Sequence, residues 1–179
     1  MNALINLFTP NCIALNSPAS NRADAFAAAG ELFSKQIGID SNAVVQFLNA
    51  REDLGSTALG AGVAIPHGRV KGLKQPTAAF MQLQNSIEFA APDGEPVSIL
   101  IFLLVPEKAT QQHLEILSSI AQLLSDADTR KLLSSASDPN TVCELLQQWG
   151  LPKWHSLYSC LLYTSDAADD LTRLDRGGR

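Results

Sequence analysis

The stretch VSILIFLLV, residues 97–105, is apolar at every position except Ser98. A strand that is apolar on both faces is typical of the centre of a sheet that is covered on both sides. Residues 63–65 and 77–83 are also short, apolar and β-like. These three stretches predict a small sheet in which residues 97–105 form a central strand.

The segment SIEFAAPDGEP, residues 86–96, lies between the second and third predicted strands. Residues 87–89 are predicted to form a short strand, and Pro92, Asp93 and Gly94 are residue types that favour a turn. We therefore expect an edge hairpin in this segment.

Helical periodicity surrounds the predicted strands. Apolar residues recur at spacings of three and four between Ser20 and Ile37, which indicates an amphipathic helix. Similar patterns predict further helices, one of which runs through His113 and Leu114, and the chain is therefore assigned to the α/β class. The predicted helices cover residues 20–37, 41–52, 110–124, 129–133 and 139–149.

Particular residues mark the ends of these helices. Ser41, Thr110 and Asp138 are predicted N-terminal caps, because their side-chain oxygens can accept a hydrogen bond from the first turn. Gly38 and Gly150 are predicted stops, because glycine readily adopts the left-handed conformation that ends helices.

The composition argues against several classes of protein. The chain has 179 residues, with 13 Lys and Arg against 18 Asp and Glu, and a formal net charge of −5. Since there is no basic excess, binding to nucleic acid is not indicated. The longest apolar run is too short to span a bilayer, and the first residues lack the features of a signal peptide. We expect a soluble, cytoplasmic protein that does not insert into membranes.

The length is that of one domain, which we predict to cover residues 1–152. Residues 153–179 do not continue the pattern, and they include SLYSCLLYTSDAADD, which resembles translated adapter sequence of the kind that contaminates assembled reads. We expect residues 153–179 to be a non-native or disordered tail and exclude them from functional interpretation. The alternative is a native tail with a weak helix that begins near Ser165.

His67 stands between Pro66 and Gly68, at what the pattern predicts to be a strand exit. Proline restricts the backbone on both sides of its own nitrogen, and glycine leaves room for another molecule to approach. A neutral imidazole is a good nucleophile toward phosphorus when one ring nitrogen is held as N–H and the other is free. His67 is therefore a candidate nucleophile at an anion site.

Four other side chains are candidates for the same site. Arg51 has a planar fork of donors suited to phosphate oxygens, and Ser56 and Thr57 offer hydroxyl donors nearby. His113 lies in the first turn of a predicted helix, where the helix dipole favours a nearby anion. Each also has a structural interpretation: His67 and His113 as ordinary core or surface histidines, Arg51 as a helix C-terminal cation, and Ser56 with Thr57 as a turn.

Other kinds of site lack their motifs. The cysteines are widely spaced with no CxxC pair, and the histidines show no ligand spacing with one another or with cysteine. We therefore expect neither a disulfide framework nor a metal site. The GxSxG and GxxxxGK[ST] motifs of serine hydrolases and P-loop nucleotidases are absent from the sequence.

Two blocks carry a resemblance to a known family: REDLGSTALGAGVAIPHGR, residues 51–69, and LLVPEKATQQHLEILSSIAQLL, residues 103–124. Together they resemble the enzyme IIA proteins of the bacterial phosphotransferase system, in the mannitol, fructose and nitrogen class (type 2). The similarity extends from LFTPNCI to Trp149 and is greatest to the nitrogen-regulatory members. It implies a small mixed sheet with helices on both faces.

The resemblance also implies a role for each candidate residue. His67 would accept a phosphoryl group on its tele nitrogen, His113 would be the second active-site histidine, and Arg51 would help hold the phosphoryl group. Ser56 and Thr57 fall in the family's GST signature and would neighbour the phosphate. No dissociable cofactor would be needed. Ala61 is a departure, because members of this class often have asparagine there.

The implied donor is a phosphorylated HPr-like (NPr) carrier protein, so an apolar patch is expected around His67. Regulatory target proteins would be further partners. Two alternatives remain open. The chain could be a sugar-specific enzyme IIA that passes phosphate to a IIB domain, or a protein-binding regulator whose phosphorylation site is vestigial.

Overall fold

The structure, a computed structural model, describes residues 4, 6–108 and 110–149. The described residues form a short 3-10 turn (Pro10–Cys12), six strands and five α-helices. The strands are β1 (Ile13–Ser17), β2 (Ala58–Gly60), β3 (Val63–Ala64), β4 (His67–Val70), β5 (Thr77–Ile87) and β6 (Val97–Pro106). The helices are α1 (Arg22–Ile37), α2 (Ser41–Glu52), α3 (Thr110–Ser125), α4 (Ala127–Ser135) and α5 (Pro139–Gln148).

The strands form one mixed sheet in the order β1-β5-β6-β3-β2, and β4 also pairs with β6. β5 is antiparallel to β6 and parallel to β1, while β3 and β4 both run parallel to β6. β2 is antiparallel to β3. The prediction of a mixed α/β sheet is confirmed, and so is the central place of residues 97–105.

The central strand β6 is buried along almost its whole length. Since successive side chains of a strand point to opposite faces, a strand that is buried throughout must be covered on both sides. The helices supply this cover: α1 contacts β5, α2 contacts β4, α4 contacts β6 and α5 contacts β1. No helix among the described residues is both long and apolar enough to cross a membrane.

β3 and β4 lie one after the other along the same edge of β6. Val63 pairs with Ile99 and His67 pairs with Leu103, and the Leu103 N–H donates to the Pro66 carbonyl at 2.9 Å. Only residues 65 and 66 separate the two strands. His67 therefore begins a strand, which corrects the prediction that it lies at a strand exit.

Three strands were missed because they are short or not apolar throughout: β1, β2 and β4. The predicted edge hairpin at residues 86–96 is wrong, since residues 87–89 form no separate strand. Instead β5 continues to Ile87, and residues 88–96 connect it to its antiparallel neighbour β6. The predicted turn is confirmed, because the Gly94 N–H donates to the Ala91 carbonyl at 3.0 Å.

The helix caps differ in part from the predictions. Asp138 and Gly38 are confirmed, but α2 is capped by Asp40, whose carboxylate accepts from the Ala43 N–H at 3.1 Å, and not by Ser41. Asp126 caps α4, which therefore begins earlier than predicted.

Leu114 is 63% exposed, because the buried stripe of α3 runs through residues 113, 116, 120, 123 and 124. The cap expected of the Thr110 side chain, the stop at Gly150 and the tail at residues 153–179 lie outside the described residues.

Gln82 ties the sheet to the end of α4. Its amide nitrogen lies within 2.8 to 3.2 Å of the carbonyl oxygens of Leu133, Ser134 and Ala136. Its amide oxygen accepts from the Asn16 N–H at 3.3 Å. One side chain thus satisfies carbonyl groups that a helix C-terminus would otherwise leave unpaired.

Replacing Gln82 by Glu should destabilise the fold, because a carboxylate would face three carbonyl oxygens and donate to none of them. We expect the free energy of unfolding to fall by about 1–3 kcal/mol at pH 7, measured by urea denaturation. Gln84→Glu is the matched control, since Gln84 lies exposed on the same strand. Equal stability of the two variants would contradict this role of Gln82.

Candidate active site

Gly68 allows α2 to approach β4 closely. A Cβ atom at this position would lie 3.0 Å from Cβ of Phe47 and 3.2 Å from the Phe47 carbonyl carbon and oxygen. Arg51 follows Phe47 by one helical turn, so this contact places Arg51 beside the start of β4. The interpretation that Gly68 leaves room for another molecule is wrong, because α2 of the same chain fills that space.

The imidazole of His67 is held at both ring nitrogens. Nδ1 lies 2.8 Å from the Ile65 carbonyl oxygen, and Nε2 accepts from Nε of Arg51 at 3.1 Å. Because a carbonyl oxygen can only accept, Nδ1 carries the proton and the lone pair is on Nε2. Nε2, the tele nitrogen, is therefore the nucleophilic atom in this arrangement.

His113 lies against His67. The two ring centroids are 5.2 Å apart at an angle of 67°, and the His113 side chain is only 7% exposed. Neither ring nitrogen of His113 has a hydrogen-bond partner among the described residues. An unpartnered polar group in a buried position destabilises a fold and calls for an explanation, of which a role in binding or catalysis is one.

Burial and nearby positive charge favour the neutral form of both histidines. Burial lowers the pKa of His67, as do Arg51 and Arg69 to a smaller extent, while the hydrogen bond to Ile65 opposes this change. Burial also lowers the pKa of His113 to about 4, and the charges of His67, Arg69 and Arg51 contribute. Near pH 7 both rings are therefore neutral, as a nucleophilic imidazole requires.

Arg69 is a member of the site that sequence reasoning missed. It lies two residues after His67 on β4, so both side chains point to the same face of the strand, and Arg69 is exposed. Its positive charge acts on both histidines. The alternation of side chains along a strand could have revealed it, had β4 been recognised from the sequence.

Ser56 and Thr57 line the same pocket as Arg51 and His67, in a cavity of about 230 Å³. Their hydroxyl groups are directed elsewhere, however. The Ser56 hydroxyl donates to the Phe89 carbonyl at 2.8 Å, and the Thr57 hydroxyl donates to the carboxylate of Glu52. Their place beside a phosphate thus stays a prediction, and in this structure both hydroxyls hold the loop that follows α2.

Ala61 has a backbone φ of 55°, in the left-handed region that Asn and Gly adopt more easily than Ala. Its N–H donates to the Asp93 carboxylate at 2.8 Å, a bond that also lowers the pKa of Asp93. Ala61 therefore differs from the family's asparagine in that alanine adopts this left-handed backbone conformation less easily.

No cluster of three or more potential metal ligands is present in the part of the chain that the structure describes. Cys12 and Cys143, both described and buried, are free thiols.

Residues 6–149 match the family described as "Phosphoenolpyruvate-dependent sugar phosphotransferase system, EIIA 2". The chain belongs to this family. The prediction made from the two sequence blocks is confirmed, and its extent from LFTPNCI to Trp149 agrees with the matched range.

Several relatives of this enzyme IIA chain are nitrogen regulatory proteins. The one from Pseudomonas aeruginosa is 37% identical over 144 residues, which cover 80% of this chain and 94% of the relative. The one from Escherichia coli is 34% identical and covers 75% and 84%. A fructose-specific EIIA component from Haloferax volcanii is 34% identical over 109 residues, which cover 61% and 71%.

Solved structures of the family share the fold. Nitrogen regulatory protein IIA-Ntr from Neisseria meningitidis has a TM-score of 0.74 and 42% identity, covering 77% of this chain and 94% of that one. The mannitol IIA protein from Escherichia coli has a TM-score of 0.67 and 25% identity, covering 78% and 98%. The resemblance to the nitrogen-regulatory members is thus confirmed, in sequence and in fold.

The structure brings Arg51, His67 and His113 together, with Ser56 and Thr57 at the edge of the same pocket. The role of each in phosphoryl transfer stays a prediction.

Removing the charge of Arg69 should raise the pKa of both histidines, because a nearby cation opposes their protonation. We expect higher pKa values for His67 and His113 in Arg69→Gln, measured by NMR titration of the imidazole resonances. Lys71→Gln is the control, since Lys71 is also an exposed cation but lies in the turn after β4. If Arg69→Gln titrates as wild type does, Arg69 does not influence the site.

The neutral, buried His113 should make stability depend on pH. Its pKa is about 4 in the folded chain and about 6.5 when unfolded, so the unfolded state binds more protons between these values. Stability should therefore fall as the pH is lowered from about 7 to 4, by the order of 1–3 kcal/mol from this residue. Urea denaturation at several pH values should show a smaller fall for His113→Gln; an equal fall would contradict the assignment.

Proposed function

We propose that this protein is a phosphoryl carrier and regulator of a nitrogen-type phosphotransferase system. It accepts a phosphoryl group on Nε2 of His67 from a phosphorylated HPr-like (NPr) carrier. In the cytoplasm it then binds or releases target proteins according to its phosphorylation state. The observation that carries this proposal is the bond from Nδ1–H of His67 to the Ile65 carbonyl, which leaves the lone pair on Nε2.

Transfer is an in-line displacement at phosphorus. The lone pair of Nε2 attacks as the P–N bond to the donor imidazole breaks, and the donor ring keeps the electron pair of that bond. Since Nδ1 of His67 keeps its proton, the phosphorylated ring first carries a positive charge. The Ile65 carbonyl stabilises that charge through the same hydrogen bond.

Arg51 changes its partner during this step. Its Nε–H donates to the lone pair of Nε2 before the reaction, at 3.1 Å, and this lone pair is consumed when the N–P bond forms. The phosphoryl oxygens then lie within reach of the released donor. Because negative charge is spread over the equatorial oxygens in the transition state, a positioned guanidinium stabilises it. His113 has no hydrogen-bond partner among the described residues, and its neutral ring carries one N–H that is able to donate to another oxygen.

A protein as phosphoryl donor is supported by exposed leucines around the site. Leu54, Leu59 and Leu114 are 84%, 45% and 63% exposed. Leu59 lines the pocket with His67, Leu54 follows Arg51 by three residues, and Leu114 follows His113 directly. Large apolar side chains exposed close together are typical of protein-binding surfaces.

A sugar-specific role is the second candidate, because a fructose-specific EIIA component and a mannitol IIA structure are among the similar proteins. In that case the phosphorylated protein would pass its phosphoryl group to a IIB domain. Incubation of the phosphorylated form with a purified fructose or mannitol IIB domain distinguishes the two roles. Loss of the phosphoryl group to IIB would favour the sugar-specific role.

The proposal predicts a single phosphorylation site. Incubated with a phosphorylated HPr-type donor, the wild type should gain one phosphoryl group by intact mass, and ³¹P NMR should identify tele-phosphohistidine. His67→Ala should gain none, because the nucleophile is removed.

His155→Ala is the control for the loss of a histidine and should react as wild type does. If the wild type gains no phosphoryl group, the carrier function is wrong and a protein-binding regulator with a vestigial site takes its place. If His67→Ala gains as much as the wild type does, the assignment of the phosphorylation site to His67 is wrong.

A further inference from the structure

Glu52 is a carboxylate buried beside the active site, with a side chain only 5% exposed. Its partner is Thr57. The Thr57 N–H lies 3.2 Å and 3.3 Å from the two carboxylate oxygens, and the Thr57 hydroxyl donates to one of them as well. Both donors of one residue therefore converge on this carboxylate.

Burying a carboxylate opposes folding unless hydrogen bonds replace the lost water. Here the compensation comes from Thr57, five residues away across the loop that follows α2. No contact joins Glu52 to either imidazole among the described hydrogen bonds. These contacts therefore do not indicate a direct part for Glu52 in the chemistry. They indicate that Glu52 affects the shape of the loop.

Hydrogen bonds connect this loop to the nucleophile. The Thr57 carbonyl accepts from the Ile65 N–H at 3.1 Å, and the Ile65 carbonyl accepts from Nδ1–H of His67 at 2.8 Å. Thr57 thus holds Ile65 together with the pairing of the flanking residues to β6. Ile65 in turn supplies the only acceptor that fixes the tautomer of His67 in the described part of the chain.

The other partner of His67 is tied to the same loop. Nη1 of Arg51 donates to the Gly55 carbonyl at 3.0 Å, and the Gly55 N–H donates to the Glu52 carbonyl at 3.0 Å. The start of the loop is thereby held at Gly55, by its hydrogen bonds to Arg51 and to the Glu52 backbone. The end of the loop is held at Thr57 by the Glu52 carboxylate. Arg51 and the Ile65 carbonyl orient the imidazole, and the positions of both depend on this loop.

We propose that Glu52 is a positioning residue for phosphoryl transfer, acting through Thr57 and Ile65 to keep the attacking lone pair of His67 on Nε2. The inference rests on the proposed function for its kinetic consequence. Its structural consequence, the tautomer of His67, does not require any phosphoryl donor. Glu52 itself touches neither the nucleophile nor the phosphoryl group.

Glu52→Gln tests this directly. Glutamine has the same shape, but its NH₂ group would face the Thr57 donors in place of a carboxylate oxygen, so the loop loses part of its anchor. We expect ¹⁵N NMR of unphosphorylated His67 to show a larger fraction of the Nε2–H tautomer. We also expect the transfer rate at saturating donor to fall about tenfold, with little change in the apparent KM for the carrier.

Asp53→Asn is the matched control, because it removes the same charge from the neighbouring, exposed residue. It should leave the tautomer and the rate unchanged. A second variant serves if Glu52→Gln does not fold: Thr57→Val removes the hydroxyl donor to Glu52 and should shift the tautomer in the same direction as Glu52→Gln.

The outcomes separate the two proposals. If the wild type accepts a phosphoryl group and Glu52→Gln shows the wild-type tautomer and rate, the positioning role is overturned and the proposed function stands. If the wild type accepts none while the tautomer shifts as expected, the proposed function fails and the positioning role stands. A lower melting temperature with unchanged tautomer and rate would make Glu52 a structural residue only and would also overturn the inference.

Discussion

The close approach of α2 to β4 at Gly68 is the constraint on which the site depends. A methyl group there would meet the side chain and backbone of Phe47 at 3.0 to 3.2 Å, so any larger residue would push the helix away from the strand. Arg51 lies one turn further along α2, and its reach to Nε2 of His67 requires that distance. Because the helix and strand belong to the core, the nucleophile and its cation are held by packing as much as by their own hydrogen bond. The glycine after the histidine thus serves the packing of α2 against β4 inside the protein.

The site is arranged to keep two histidines uncharged near two arginines. Burial lowers the pKa of both rings, and the positive charges of Arg51 and Arg69 lower it further. In the proposed reaction, the same cations that oppose protonation of the imidazole would attract the phosphoryl dianion. The His113 side chain has no hydrogen-bond partner among the described residues, which destabilises the fold. The unpartnered ring of His113, beside His67, fits a site in which a bound anion supplies the missing hydrogen-bond partner.

The sequence predicted most of the core and pointed to residues that the structure brings together, but it did not predict their geometry. The nearly continuous apolar run of β6 and the spacings of α1, α3 and α5 are strong local patterns, because they reflect burial along one element. β4 has only four residues, HGRV, and carries too little periodicity to be read. Without that strand, the sequence pattern places His67 at a strand exit and gives no reason to consider Arg69. The cap of α2 was misplaced by one residue, since Asp40 and Ser41 are both suitable and only the backbone conformation decides between them.

Glu52 could not have been found by such reasoning. In the sequence it is one acidic residue beside another, Asp53, at the end of a helix, where both would be expected to face solvent. It is buried where the loop turns back so that Thr57 reaches its carboxylate, and the Thr57 carbonyl accepts from the Ile65 N–H beside the paired strands β2 and β3. Positioning residues of this kind act through long-range pairing and not through their own chemistry, so their roles follow from the hydrogen bonds of the folded chain. The family motif brings His67 and Arg51 to notice, whereas the proposed role of Glu52 rests on contacts that only the fold reveals.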